Sequence, residues 1–170
     1  MAEGPPGGRT YAPVRACVDY PTYVLALGKT GLGPKGRTME ISVAVLADAA
    51  NVSGDDKLNI LGVFDTVNAG EFPAVYPLMA LAIRFRIDFS EAKKSHKIEI
   101  LFFDEDHKGG TIAEGTIKVG PIPPGEWGHV NHVFNLAGVT FDRPGSYFIE
   151  AKWNGVVKAT IPIKVSKIQG

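Results

Sequence analysis

The chain has a single cysteine, Cys17, so an intrachain disulfide is impossible. No flanking feature activates it, and it reads as an inert small side chain. An excess of charge of either sign is also missing, because 18 basic and 18 acidic residues cancel. That balance argues against a nucleic-acid partner, whose affinity needs a basic face to neutralise phosphates. Near neutrality instead removes the repulsion that keeps copies apart and favours self-association. No apolar run approaches membrane-spanning length, so no membrane partner is expected. The opening MAEGPPGGRTYAPVR lacks the apolar core of a signal peptide, and the expected compartment is the cytoplasm. Helical periodicity beyond a turn or two is absent throughout.

What is present is an apolar chain of one-domain size, 170 residues and 45% hydrophobic, enough for a core without disulfides or metal. Residues 1–38 differ in kind from the rest. They are rich in Gly and Pro (GPPGG, then GKTGLGPKG) around one apolar patch, residues 18–27. Such composition reads as an arm or linker. Tyr20, Tyr23, Leu25 and Leu27 fit a short strand after Pro21, one that a neighbouring subunit would hold. A second reading stays open, in which a purine-rich stretch encoding residues 35–38 makes Met39 the start.

From Met39 onward the period is two. Ile41, Val43 and Val45 give a first strand, and NVSGDDK gives a turn. Residues 57–66, KLNILGVFDT, are apolar in both phases: Leu58, Ile60 and Phe64 on one side, Leu61 and Val63 on the other. A strand apolar on both faces is expected at the centre of a sheet, and Gly62 in its middle marks a bulge or a close backbone approach. After a loop over residues 68–77 comes the cleanest alternation. Met79, Leu81, Ile83, Phe85, Ile87 and Phe89 point inward, and Arg84, Arg86 and Asp88 outward. A returning strand over 96–103 would set Glu99 across from Arg84 and Arg86. A weaker strand is predicted over 111–119, and a further strand over 129–136 with Val130, His132, Phe134 and Leu136 in one phase. A closing hairpin turns at Asn154-Gly155, both of which accept the positive φ of a type I′ turn. Pro162 has no N–H, which places the last strand's end or a sheet edge there. About eight strands with regular turns describe an antiparallel β-sandwich over residues 39–170.

The candidates for chemistry are thin. Gly28-Lys29-Thr30 echoes a phosphate loop, but Tyr23 stands where its first glycine belongs and Gly31 to Pro34 replace the helix. Asp104-Glu105-Asp106 lacks the spacing of a calcium loop and reads as a hairpin turn. His129 and His132 fall on opposite faces of a strand and cannot share a metal, and His132 reads as a hydrogen-bonded core residue. No nucleophile elbow appears. The expectation is a non-enzyme with no catalytic, cofactor-binding or metal-binding residue. What remains is surface: Trp127 in the loop GPIPPGEWG, and Phe72 and Tyr76 in the other long loop, as possible interaction residues.

The core KLNILGVFD, with the later Phe72-Pro73 and the closing RPGSYFIEAKWNGVVKATIPIKV, resembles a family of small uncharacterised bacterial proteins, a domain of unknown function. The resemblance implies a β-sandwich and transfers no site. The arm departs from it, since members usually begin near the position of Met39. The closing hairpin alone resembles bacterial immunoglobulin-like domains, which implies an immunoglobulin-like sandwich.

The function expected is therefore structural or protein-binding, through self-association by the arm or through another protein, with no cofactor. The alternative is a monomeric module binding a glycan, a small molecule or calcium with the loops around Trp127 and Asp104.

Overall fold

A computed structural model describes residues 38–168. The chain in that span is all-β, with nine strands and one short 3-10 turn among the described residues. In order they are β1 (Met39–Val52), β2 (Leu58–Phe64), β3 (Thr66–Ala69), β4 (Ala74–Asp88), the 3-10 turn (Phe89–Glu91), β5 (Ser95–Asp104), β6 (Gly109–Lys118), β7 (Trp127–Phe141), β8 (Gly145–Trp153) and β9 (Val156–Lys167). They form a four-stranded sheet in the order β2-β1-β4-β7 and a five-stranded sheet in the order β3-β9-β8-β5-β6.

The alternating sequence of β4 explains the core. Leu81, Ile83, Phe85 and Ile87 are fully buried on its inner face, and β5, β8 and β9 answer from the other sheet with Ile98, Ile100, Ile149 and Ile163. Aromatic pairs join the two sheets at both ends. Phe85 meets Trp153 with centroids 5.0 Å apart, and Phe141 meets Tyr147 at 5.0 Å. Each fully buried large side chain of this kind contributes about 1.5–3 kcal/mol, so the opposed inner faces hold the sheets together.

The turns follow their sequence signals. Asn154 and Gly155 both take positive φ, 49° and 81°, as the type I′ hairpin requires. Tyr147 at the start of β8 closes the opposite end: its hydroxyl donates to the Arg143 carbonyl at 2.9 Å and accepts from the Arg143 N–H at 3.2 Å.

Three expectations are corrected. Among the described residues, residues 57–66 do not lie at a sheet centre, because β2 is the edge of the four-stranded sheet and pairs only with β1. Arg84 and Arg86 do not face Glu99, because β4 pairs with β1 and β7 while β5 lies in the other sheet. Glu99 pairs instead with Lys97, which also reaches Glu114 at 3.1 Å. Finally, the pairing is not wholly antiparallel. Part of the expected loop over 68–77 is strand, and β3 runs parallel to the last four residues of β9. Pro162 sits just before that pairing begins at Lys164, so its missing N–H faces an unpaired side.

Candidate functional site

The outer edge of β2 is the most conspicuous surface. Its seven residues, LNILGVF, carry no charge, and among the described residues nothing pairs with its outer side. Leu61 is 72% exposed and Val63 61%, while Leu58, Ile60 and Phe64 are half-buried. Apolarity in both phases thus reflects one half-covered row and one bare row. Beside Leu61 lies a shallow hollow of about 340 Å³ lined by Ala49, Ala50, Asn51, Asn59 and Ile60.

Local chemistry fixes this edge in place. Leu46 of β1 faces Phe64, and Ala47 faces Val63, so Asp48 comes opposite Gly62. Gly62 has φ +68°, and a Cβ there would strike the Asp48 carboxylate. The space left by the glycine lets that carboxylate accept from the Tyr76 hydroxyl at 3.2 Å, and the Phe64 ring stacks 5.3 Å from that of Tyr76. Burial, and then the Asp48 carboxylate, push the Tyr76 pKa up. The tip of the β1–β2 hairpin is tied down as well. Asn131 of β7 donates from Nδ2 to the Asp56 carbonyl at 2.6 Å. Because β4 lies between β1 and β7, the hairpin must cross β4 to make this bond. Ala80 and Ala82, on the outward phase of β4, are correspondingly buried.

The residues singled out from sequence fall in several places. Tyr76 belongs to the β2 support just described. Phe72 packs against the edge of the core, as does Tyr76, so both rings serve packing. Trp127 opens β7 opposite Asp88, with the Arg86 guanidinium 4.4 Å from its ring centroid. Asp104 ends β5 opposite Tyr147, whose ring meets Phe141 at the far end of β7. They lie at opposite ends of β7, whose 15 residues span up to about 45 Å at roughly 3.3 Å per residue, so Trp127 and Asp104 do not form one site. Tyr20, Tyr23, Leu25 and Leu27 lie outside the described residues.

The acidic and histidine candidates are occupied with structural tasks. Asp104 Oδ1 accepts from the Asp106 and Lys108 N–H groups, and Arg143 holds Glu105 and Asp106 at 3.3 and 2.6 Å. Among the described residues no group of three or more His, Cys, Asp or Glu side chains could hold a metal ion. His132 is half-buried beside Phe134 at 4.4 Å rather than a hydrogen-bonded core residue, and burial holds its pKa low. His129, on the other face, is held low by burial first and then by Arg84 and Arg86.

The histidine that is buried is His96, which the sequence did not single out. It stacks 4.5 Å from Trp153 and accepts at Nδ1 from Asn154 Nδ2 at 3.0 Å, so its proton lies on Nε2, 3.3 Å from Glu91 Oε2. Glu91 reaches it from the turn five residues before, but Asn154, which fixes its ring, comes from a hairpin 58 residues away that the local sequence does not show.

The fold defines an all-β protein whose two sheets enclose one core. Residues 42–166 match the family model DUF6941, a family of unknown function, and the chain belongs to that family. No curated protein matches the chain. Solved structures that match the chain include the Pseudomonas fluorescens alkylpurine DNA glycosylase AlkC, at 11% identity and TM-score 0.43 over 77% of this chain and 31% of that one. A Listeria innocua β-glucosidase matches at 10% identity and TM-score 0.45, over 75% of this chain and 16% of the enzyme. The chain spans less than a third of either protein. Among the described residues no helix is long and apolar enough to cross a membrane.

Proposed function

We propose that this is a non-catalytic protein whose role is structural, acting by self-association or by binding another protein, in the cytoplasm. The observation that carries this reading is the bare edge of β2, where Leu61 and Val63 stand in solvent on an uncharged strand. Sheet edges of this composition are templates for pairing, and natural proteins normally blunt them with charge, proline or a bulge. We further read the two sheets as an immunoglobulin-like sandwich. Three features support that reading: a closing hairpin β8–β9 beside β5, an early strand parallel to the last one, and a tyrosine that returns its hydroxyl to the backbone upstream.

The test is the solution mass, by light scattering after size exclusion, of the full chain beside one that starts at Met39. A defined oligomer that Leu61→Lys converts to monomer supports the role. Monomers for both chains at all concentrations remove self-association, leaving another protein as the partner to be sought on the same edge. Turnover or a small-molecule ligand found on the monomer would replace the reading altogether.

A further inference from the structure

We propose that residues 20–27 of this chain add as a further strand to the free edge of β2, with Tyr23, Leu25 and Leu27 on one face of it. This rests on the interaction role above and names the occupant of its edge. Among the described residues four strand edges bound the two sheets, those of β2, β7, β3 and β6. Three are blunted in recognisable ways. β3 is only four residues long. β6 begins Gly109-Gly110 and carries Glu114 and Lys118. β7 is uncharged but exposes no large apolar side chain, its exposed positions being polar or small, His129, Asn135, Ala137, Gly138 and Thr140. β2 has Asn59 and Gly62, but it carries no charge, is longer than β3 and leaves Leu61 and Val63 bare, and its charged neighbours, Lys57 and Asp65, fall just outside it. A bare edge of this kind is retained where something pairs with it.

Residues 20–27, YPTYVLAL, suit that edge. They are uncharged, as β2 is, so no charge would be desolvated on docking. Aromatic and β-branched residues pair well on a pleated surface, and Pro21, at the strand's start, is where a missing N–H is tolerated. Their length matches the seven residues of β2. They are also tethered close by. Leu46 of β1 faces Phe64, so the near end of β2 lies about 23 Å from Met39 at roughly 3.3 Å per residue. The intervening residues 28–38 span up to about 36 Å when extended, at roughly 3.3 Å per residue. The segment therefore reaches the β2 edge of its own chain, and equally that of a second copy beside it. Tethering raises its local concentration and replaces affinity that so short a strand lacks alone.

Hydrogen exchange on the full-length protein, read by residue, tests this, since an added strand protects alternate amides in the segment. The expected result is slowing of at least about tenfold for amides in residues 20–27 relative to the free chain. That protection is lost in Leu61→Lys/Val63→Lys and in Val24→Pro, while the amides of β4 and β8 stay protected in all three proteins. The lysines replace exposed side chains, so the fold survives them. Exchange of residues 20–27 at the free-chain rate in the unaltered protein overturns the proposal, and so does protection that both variants retain. The interaction role fails separately. An oligomer whose residues 20–27 exchange freely keeps that role and removes this docking. A monomer with protected residues 20–27 keeps the docking, now within one chain, and removes self-association.

Discussion

The Tyr76 hydroxyl donates to Asp48 Oδ1 at 3.2 Å, and it does so in a space that exists because residue 62 is glycine. Three segments far apart in sequence meet there. β1 supplies the exposed carboxylate, β4 the phenol, and β2 the room. Phe64 stacks on the Tyr76 ring. The edge strand is thus fixed from beneath while its outer row stays bare.

Gly62→Ala is therefore expected to destabilise the protein by about 1–3 kcal/mol, since φ +68° is unfavourable for any side chain and the new Cβ meets Asp48. Urea unfolding measures the loss. The same substitution in an Asp48→Ala background should cost less, because only the backbone strain remains. Equal losses in both backgrounds would show that the carboxylate does not fill the space.

Asn154 holds a turn and a buried histidine at once. Its Oδ1 accepts from the Lys97 N–H at 2.9 Å while Nδ2 donates to His96. Asn154→Gly keeps the positive φ and loses both bonds, for an expected cost of about 1–2 kcal/mol. Asn154→Ala adds the strain of a left-handed residue, about 1–2 kcal/mol more. If the two variants unfold at the same urea concentration, the backbone angle is not what selects asparagine here.

Tyr147 is buried, and its hydroxyl exchanges two hydrogen bonds with the backbone of Arg143. Tyr147→Phe keeps the ring against Phe141 and Phe102 and leaves the backbone groups unpaired. A loss of about 1–2 kcal/mol is expected, read from the thermal midpoint. No shift would mean that water replaces the hydroxyl without penalty.

Much of this fold was legible because its signals are local. The alternation from Met79 to Ile87 names the buried face of β4 directly, and Asn154-Gly155 names its turn. Phe89, expected to continue that alternation, opens the 3-10 turn and is 42% exposed. Gly62 marks neither a bulge nor a close backbone approach: β1 and β2 pair without a register shift there, and what fills its space is the Asp48 side chain, which the sequence does not name. The other failures are non-local. A strand apolar in both phases has the same sequence whether a sheet or solvent lies beyond it, so KLNILGVFDT pointed to a centre and formed an edge. Sequential strands usually pair, which set Glu99 opposite Arg84 and Arg86, yet the chain changes sheets between β4 and β5. The parallel pairing of β3 with β9 joins segments nearly a hundred residues apart, as Val67 with Val165. The support under β2 was half visible. Tyr76 was singled out as a surface aromatic, but its partner lies in another strand.

His132 and His129 set the direction of a pH effect. Burial holds the His132 pKa below 6.5, and burial with the Arg84 and Arg86 charges does the same for His129. A folded-state pKa below the unfolded value means that the unfolded chain binds protons first as pH falls. The stability these residues contribute is thus complete above pH 6.5 and is lost as pH drops from there through the folded values. The urea midpoint should therefore be lower at pH 5.5 than at pH 7.5. The carboxylates whose pKa values are lowered, Asp55 and Asp88, titrate below 3.8 and do not contribute in that window. His132→Leu should reduce the difference, since burial alone depresses His132 and leucine keeps an apolar contact with Phe134. His129→Gln should reduce it further. Arg84→Ala with His129 retained should shrink the His129 share by removing one of the two charges that oppose its protonation. An unchanged pH difference in the double variant His129→Gln/His132→Leu would assign the effect to other groups.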